Sequence, residues 1–375
     1  MKHLPFQEKI VDELFLTQHY IEQFSKAKNA SINKSIQQIV KNKGKLLRPS
    51  LLIMCGQYVH SISHDDKVDI SAQKLKETLA SFSAILELIH ISSLIHDDVL
   101  DMADIRRGEL TLNNLNGNRH AVLIGDFLVA QALNNCYLLL HDEKDSKIRE
   151  ALYPNGQEIL GVFLEGIHSL IYGEVIQNES TIIKEHNLQE AVHNYYEIIR
   201  NKTASLYIMA SFTGALLTTS NAELKAKFRK IGEQIGLAYQ VIDDISDFSP
   251  LQKREKAFQD LKSEVLTLPL LYLQNQANHE LDLIQDQFRR NEFTQKEEQY
   301  LLQLLLQTGS IDKSLSVAKT HLSNVTKIIS DLPPTHRSDD LKKLISYLIN
   351  YGDLVVGQIH AKAHTESYLY TLPSQ

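Results

Sequence analysis

Two clusters of aspartates carry the strongest chemical signal in this 375-residue chain. The first is Asp97-Asp98-Val99-Leu100-Asp101, the second Asp243-Asp244-Ile245-Ser246-Asp247. On a helix the first and last aspartate of each cluster lie one turn apart on one face, where like charges repel. A shared cation turns that repulsion into binding. Oxygen-only ligands of this kind suit Mg²⁺, which keeps several waters and bridges to substrate phosphates. One such motif alone could equally be a solvated acidic face. Both clusters, however, sit in apolar surroundings, SSLIHDDVL and LAYQVIDDISDF, and a solvated face would not be framed so.

Basic and polar residues occur near both clusters. Arg106 and Arg107 follow Asp101 closely enough to reach an anion bridged to its metal, and a guanidinium fork matches phosphate oxygens. Alone, the pair would read as a solvated helix end. Lys43-Gly44-Lys45-Leu46-Leu47-Arg48-Pro49 joins positive charge to a glycine that lets a backbone approach closely, though a loop and helix start would look the same. Lys202-Thr203 and Gln240 lie in apolar settings. A rival constellation is three Glu-x-x-His pairs, Glu87/His90, Glu165/His168 and Glu190/His193, the spacing of di-iron sites in helix bundles. It needs further glutamates on facing helices and leaves the aspartates unexplained.

The elements that must hold these residues are helices. With 15 Gly and 8 Pro the chain has far fewer turn-formers than the roughly 26 and 19 of average usage. Helical periodicity covers 81–100, 121–140, 157–177, 188–217, 222–248 and 294–307, with loop signals at 113–118, 153–156 and 332–337. Gly108 is expected to end the first of these helices or its extension. Strand-like alternation is scarce, and no linker or repeat divides the chain. The expectation is one large all-α domain over 1–350 and a C-terminal extension over 351–375. A net charge of −7 offers no global attraction to nucleic acid. Two cysteines exclude a disulfide scaffold and a Cys-rich zinc site. The charged N-terminus does not read as a signal peptide, and the longest charge-free run, 203–222, is too polar for a membrane span. No transmembrane segment and a cytoplasmic location are expected.

In combination these motifs resemble the trans-isoprenyl diphosphate synthases, or polyprenyl synthetases, from about Gly44 to Tyr347. The resemblance is carried by His90-Ile-Ser-Ser-Leu-Ile-His-Asp97-Asp98-Val-Leu-Asp101, Arg106-Arg107-Gly108, Asn118, Gly125-Asp126, Gly173-Glu174 with Gln177, Lys202-Thr203-Ala204, and Gln240-Val-Ile-Asp243-Asp244-Ile-Ser-Asp247. It implies a helical domain of the isoprenoid synthase type with a central cavity, the aspartate clusters facing each other across its mouth. It implies a prenyltransferase joining isopentenyl diphosphate to an allylic prenyl diphosphate. Asp97, Asp101 and Asp243 would hold Mg²⁺, with Asp247 and Asp244 supporting the second site. Arg106 and Lys202 would bind the allylic diphosphate, and Lys45, Arg48, His90 and Arg107 isopentenyl diphosphate. Thr203 and Gln240 would steady the developing cation, and Lys202, Thr203 and Gln240 form the expected catalytic set. A homodimer is implied as well.

The resemblance also implies a product of C20 or longer, because Ser92 and Ser93 are small where, in the family, a bulky aromatic stops the growing chain; close helix packing is the plainer use of small residues there. The chain departs from the family pattern after the second cluster. Glu255 and Val265 stand where two lysines are expected, and Arg254, Phe258 and Glu264 where glycines are. Asp260, Leu261, Thr267 and Pro269 keep the register, and Lys256 or Lys262 could compensate. Lys43 and Leu46 similarly replace a glycine and an arginine. Such losses leave open a divergent but active enzyme, altered substrate choice, or a subunit dependent on a partner chain; a terpene cyclase is a separate and more remote alternative.

Overall fold

The computed structural model describes residues 4–41, 44–63, 71–141, 155–180, 187–250, 258–262, 265–290 and 292–367. Among them the architecture is all-α, as the scarcity of Gly and Pro implies. A 3₁₀ turn at Pro5–Ile10 precedes α1 (Val11–Phe24), α2 (Ala30–Val40), α3 (Leu47–Ile62) and α4 (Ala72–Leu100). A two-residue hairpin, β1 (Ile105–Arg106) and β2 (Glu109–Leu110), leads to α5 (Leu112–Asn116), α6 (Asn118–His141), α7 (Gly156–Ser180) and α8 (Leu188–Ile199). A π turn at Arg200–Ala204 opens into α9 (Ser205–Leu216). Then come α10 (Ala222–Ser246), α11 (Gln259–Lys262), α12 (Leu268–Arg289), α13 (Gln295–Gln307), α14 (Ser310–Ser330) and α15 (Ser338–Ser367). The last helix runs straight through residue 351.

The chain divides into two compact units, one of residues 1–168, 206–232 and 332–343, the other of 169–205, 233–331 and 344–375. In the first, α4 packs against α1, α3 and α6. Its stretch from Thr78 to Ile89 is buried on every side, which requires the breaker-free and nearly all-round apolar sequence found there. From His90 onward one face opens, and His90, Ser93, Leu94 and Asp97 are half-buried. In the second unit α12 packs on α8, α13 and α14. Thr294 caps α13 through a reciprocal bond with Glu297, a local stop-start signal that fixes where the helix begins.

Two boundaries differ from the sequence reading, each for a local reason. The 188–217 pattern is two helices interrupted by a π turn, which hydrophobic spacing does not reveal because the turn widens by a single residue. Helix α4 stops at Leu100, and Gly108 sits in the hairpin turn instead. There Arg107 at φ 53° and Gly108 at φ 86° take the left-handed pair that a tight hairpin needs. Two residues per strand are too few to show alternation. Lastly, three helices are long and apolar enough to cross a membrane by length and composition: Ala72–Leu100, Asn118–His141 and Gly156–Glu179. A search for uninterrupted charge-free runs misses them, since the apolar stretch of each is interrupted by charges. The first is a core helix, 78% buried over its apolar window; the others are only 28% buried and expose Val122, Leu123 and Leu138 on α6.

Candidate active site

In the first unit the basic motif opens α3. Leu46 takes a left-handed conformation (φ 51°) as N-cap, and Arg48 and Pro49 form the first turn, where proline's missing N–H costs nothing. Leu46 is 5% exposed, so the position where family members carry an arginine belongs here to the core. Arg48 Nη1 lies 3.1 Å from His90 Nε2, and its guanidinium stacks over the Tyr207 ring at 4.7 Å. Because arginine can only donate, His90 Nε2 is the acceptor and Nδ1 carries the proton. Burial, then Arg48, Arg107 and Arg106, holds the imidazole pKa well below its usual value, so the ring is neutral. The consequence is two buried donors, Arg48 Nε and His90 Nδ1, with no acceptor among the described residues. Orphaned donors are expensive, and a ligand oxygen is the natural remedy. The Arg107 guanidinium lies against Gly44, where even a Cβ would come within 2.9 Å of it, so the glycine does admit a close approach. Lys45 is exposed and anchored by its carbonyl, which accepts from Gln7 Nε2.

Asp97 is half-buried in the last turn of α4 and Asp101 is its exposed C-cap. The second cluster repeats the arrangement: Asp243 and Asp244 close α10, and Asp247 follows it. Neither last turn contains a basic residue. A helix C-terminus carries partial negative charge, so carboxylates there favour a nearby cation. The middle aspartates do other work. Asp98 is 6% exposed and accepts from Arg106 Nε at 2.6 Å, tying the hairpin to α4. Arg106 is thus held by the cluster itself. Among the described residues no three His, Cys, Asp or Glu side chains converge as a ready-made metal cage. The oxygen donors instead fit an ion that keeps its waters and is completed by phosphate oxygens.

In the second unit Lys202 and Thr203 stand on the π turn, a widening common at functional sites. Lys202 Nζ pairs with Glu174 at 2.6 Å. The neighbouring Gly173 makes this possible: a Cβ there would fall 2.3 Å from the Lys202 backbone nitrogen. Thr203 Oγ1 donates to Gln240 Oε1 at 2.6 Å, Gln240 Nε2 donates to Asp244 Oδ1 at 2.7 Å, and the Tyr195 hydroxyl donates to Asp244 Oδ2 at 2.5 Å. Burial pushes the Asp244 carboxyl up to about 7 against the pull of its two hydrogen bonds. Asp247 is buried and its Oδ2 accepts from the Asp260 backbone, while Asp243 is exposed. The Asp260 carboxyl is pushed well above its usual range, by burial first and then by Asp247, Asp244 and Asp243. Lys202, Thr203, Gln240, Asp244, Asp260 and Gln177 line one cavity of about 210 Å³.

Sequence reasoning missed Tyr195, which has no motif around it, and found Asp260 only as a register marker. In the divergent loop, Val265 lines the cavity where a lysine was expected, and Lys262 is exposed. Arg254, Glu255, Lys256 and Glu264 lie outside the described residues. Phe258, standing for a glycine, keeps a glycine-like φ of 60°. Its ring packs between Phe248 and Phe293 at 5.9 and 5.7 Å, and that burial offsets roughly 1–2 kcal/mol of left-handed strain. Ser92 follows the plainer reading: it is 1% exposed and donates to the Gly125 carbonyl at 2.8 Å, serving α4–α6 packing. The di-iron alternative fails on its neighbours, since Glu87 lies in the field of Arg48 and Arg107 and Glu165 is held by Arg229 at 2.6 Å.

The chain is similar to known proteins over most of its length. The prenyl transferase of Cyanidium caldarium is 28% identical over 346 residues, covering 92% of this chain and 97% of that protein. Heptaprenyl diphosphate synthase component 2 of Bacillus subtilis (strain 168) is 26% identical over 341 residues, 90% of this chain and 87% of its own. The crystal structure of heptaprenyl diphosphate synthase from Staphylococcus aureus superposes with a TM-score of 0.72 at 27% identity, covering 91% of this chain and 97% of that one. A family model for polyprenyl synthetase matches residues 29–305, which include both aspartate clusters, the Arg48–His90 pair and the π turn, so the chain belongs to the polyprenyl synthetase family.

Proposed function

We propose that the protein is a Mg²⁺-dependent prenyltransferase that condenses isopentenyl diphosphate with an allylic diphosphate in trans, giving products of C20 or longer. The observation that carries this reading is the pair of buried donors on Arg48 and His90 that lack an acceptor among the described residues. A diphosphate oxygen satisfies both. Asp97 and Asp101, and Asp243 with Asp247, are proposed to hold the metal at the negative ends of α4 and α10. When bound, Mg²⁺ supplies positive charge that offsets the charge of the leaving diphosphate.

The residues of the second unit do the rest. Lys202, fixed by Glu174, places an ammonium beside the cavity to bind the allylic diphosphate. Thr203 and Gln240 present oxygen dipoles to a developing allylic cation, which gains from preorganised negative charge. Apolar residues of the same cavity, Ile199, Leu266 and Leu271 among them, help to keep water from that cation. Long products are supported by the heptaprenyl synthases among the relatives. A homodimer belongs to the same proposal, supported by the apolar residues that α6 exposes.

Incubation with Mg²⁺, isopentenyl diphosphate and C5 to C20 allylic primers is expected to yield elongated prenyl diphosphates. Hydrocarbon or alcohol release without isopentenyl diphosphate would replace the reading with a cyclase. Dependence on a partner chain is the second reading, favoured by the likeness to a component 2 and by the replaced lysines. It predicts product only after a second chain is added.

A further inference from the structure

We propose that Tyr195 is a positioning residue of the prenyl-transfer site, acting through Asp244 and Gln240 to fix the polarity of Thr203; this rests on the prenyltransferase reading above. The four side chains form one continuous line. Each Asp244 oxygen receives one donor, the Tyr195 hydroxyl at 2.5 Å and Gln240 Nε2 at 2.7 Å. With Gln240 turned so, its amide oxygen points to Thr203 and receives the hydroxyl proton at 2.6 Å. Thr203 then turns lone pairs, not a proton, toward the cavity that all four residues line. For a cationic intermediate this direction is decisive, because a hydroxyl proton aimed at a carbocation repels it and an oxygen lone pair stabilises it.

The tyrosine is what locks the line. A carboxylate with one donor can rotate and offer Gln240 either oxygen, and a Gln240 amide free to flip would release the Thr203 proton. Two donors from opposite sides hold the carboxylate plane still. Tyr195 is 6% exposed, so a phenylalanine would fill the same space, and the hydroxyl adds only its bond to Asp244. Its place on α8 follows from the chain. It stands seven positions before Lys202, and the π turn that carries Lys202 and Thr203 lets all three line the same cavity.

The test is Tyr195→Phe in the full chain, assayed with Mg²⁺, isopentenyl diphosphate and the primer that the parent extends. The expected result is a fall in kcat of roughly tenfold or more, the rate equivalent of a hydrogen bond to a charged group. KM for both diphosphates stays within about twofold, since they are held by other residues. In a Thr203→Ala background the same substitution lowers kcat no further, because the end of the line is already gone. An unchanged kcat, a loss confined to KM, or an undiminished loss beside Thr203→Ala would overturn the proposal. A parent that extends no primer defeats the prenyltransferase reading instead. The Tyr195–Asp244 link is then read without turnover, from thermal midpoints of Tyr195→Phe, Asp244→Asn and the double variant. Non-additive shifts support the link, and additive shifts sink it.

Discussion

Replacing Gly173 by alanine adds one methyl group at a close backbone contact beside the candidate site. An ideal Cβ at this position stands 2.3 Å from the Lys202 nitrogen and 2.8 Å from its Cα, both backbone atoms that cannot swing aside. Ordinary contact requires a retreat of roughly 1 Å by the π turn or by α7. Overpacking of this kind costs about 1–3 kcal/mol of stability. Its effect on catalysis should be larger in proportion, because a misplacement of about 1 Å can cost on the order of 100-fold in rate. The displaced residue is Lys202 itself, whose ammonium is held by Glu174 one position along the same helix. The assay is steady-state prenyl transfer with the allylic diphosphate varied, beside far-ultraviolet circular dichroism. We expect kcat/KM to drop by roughly 100-fold with helix content unchanged. Gly161→Ala provides the control: it lies on the same helix with nothing within 4 Å of its Cβ, and should stabilise by about 0.8–1 kcal/mol with full activity. If Gly173→Ala retained parental kcat/KM, the backbone contact would not be what places Lys202.

Further expectations concern charge, protonation and packing. Asp97→Ala and Asp243→Ala should abolish turnover while leaving helix content by circular dichroism unchanged; a marked drop in melting temperature would make the clusters structural. His90 has a folded pKa below its unfolded value, so the unfolded chain takes up the extra proton and stability falls as pH drops below about 6.5. His90→Asn lacks that component, and urea midpoints should show the parent losing ground to the variant between pH 8 and pH 5. Ser92→Phe should destabilise by about 1–3 kcal/mol because its site is already closed by Gly125. Ser93→Phe, on the half-buried side, is the substitution expected to shorten the product, which thin-layer or mass analysis would reveal. Phe258→Gly relieves backbone strain but empties an aromatic site, for a net loss of about 1–4 kcal/mol in chemical denaturation.

Much of the architecture was legible in the residues because long helices advertise themselves. The breaker-free run ending in the first aspartate cluster became α4, and Thr294 marked the start of α13. The aspartates were legible for a different reason: repeated like charge in apolar surroundings contradicts ordinary helix design, and the contradiction points to a missing cation. The partnership of Arg48 with His90 was not readable from spacing. Forty-two residues separate them, and family resemblance alone joined them. Tyr195 could not be found at all, since its role depends on a hydrogen bond across 49 residues of chain. Phe258 shows a third situation. The missing glycine was visible, but not that the backbone keeps the glycine's conformation while neighbouring rings bury the substitute.

The π turn at Arg200–Ala204 has a consequence for how relatives are compared. One residue more or less in a helix rotates everything on one side of it by about 100° relative to the other. Deleting a single residue here would leave a sequence still able to form an uninterrupted helix from 188 to 216, equal in hydrophobicity and helix content. Every side chain named in the cavity would survive such a deletion, yet Tyr195 and Lys202 would no longer share a wall. Chemistry at this position is therefore encoded in residue count as well as residue identity. A one-residue gap in a relative's alignment here would signal more than several substitutions elsewhere.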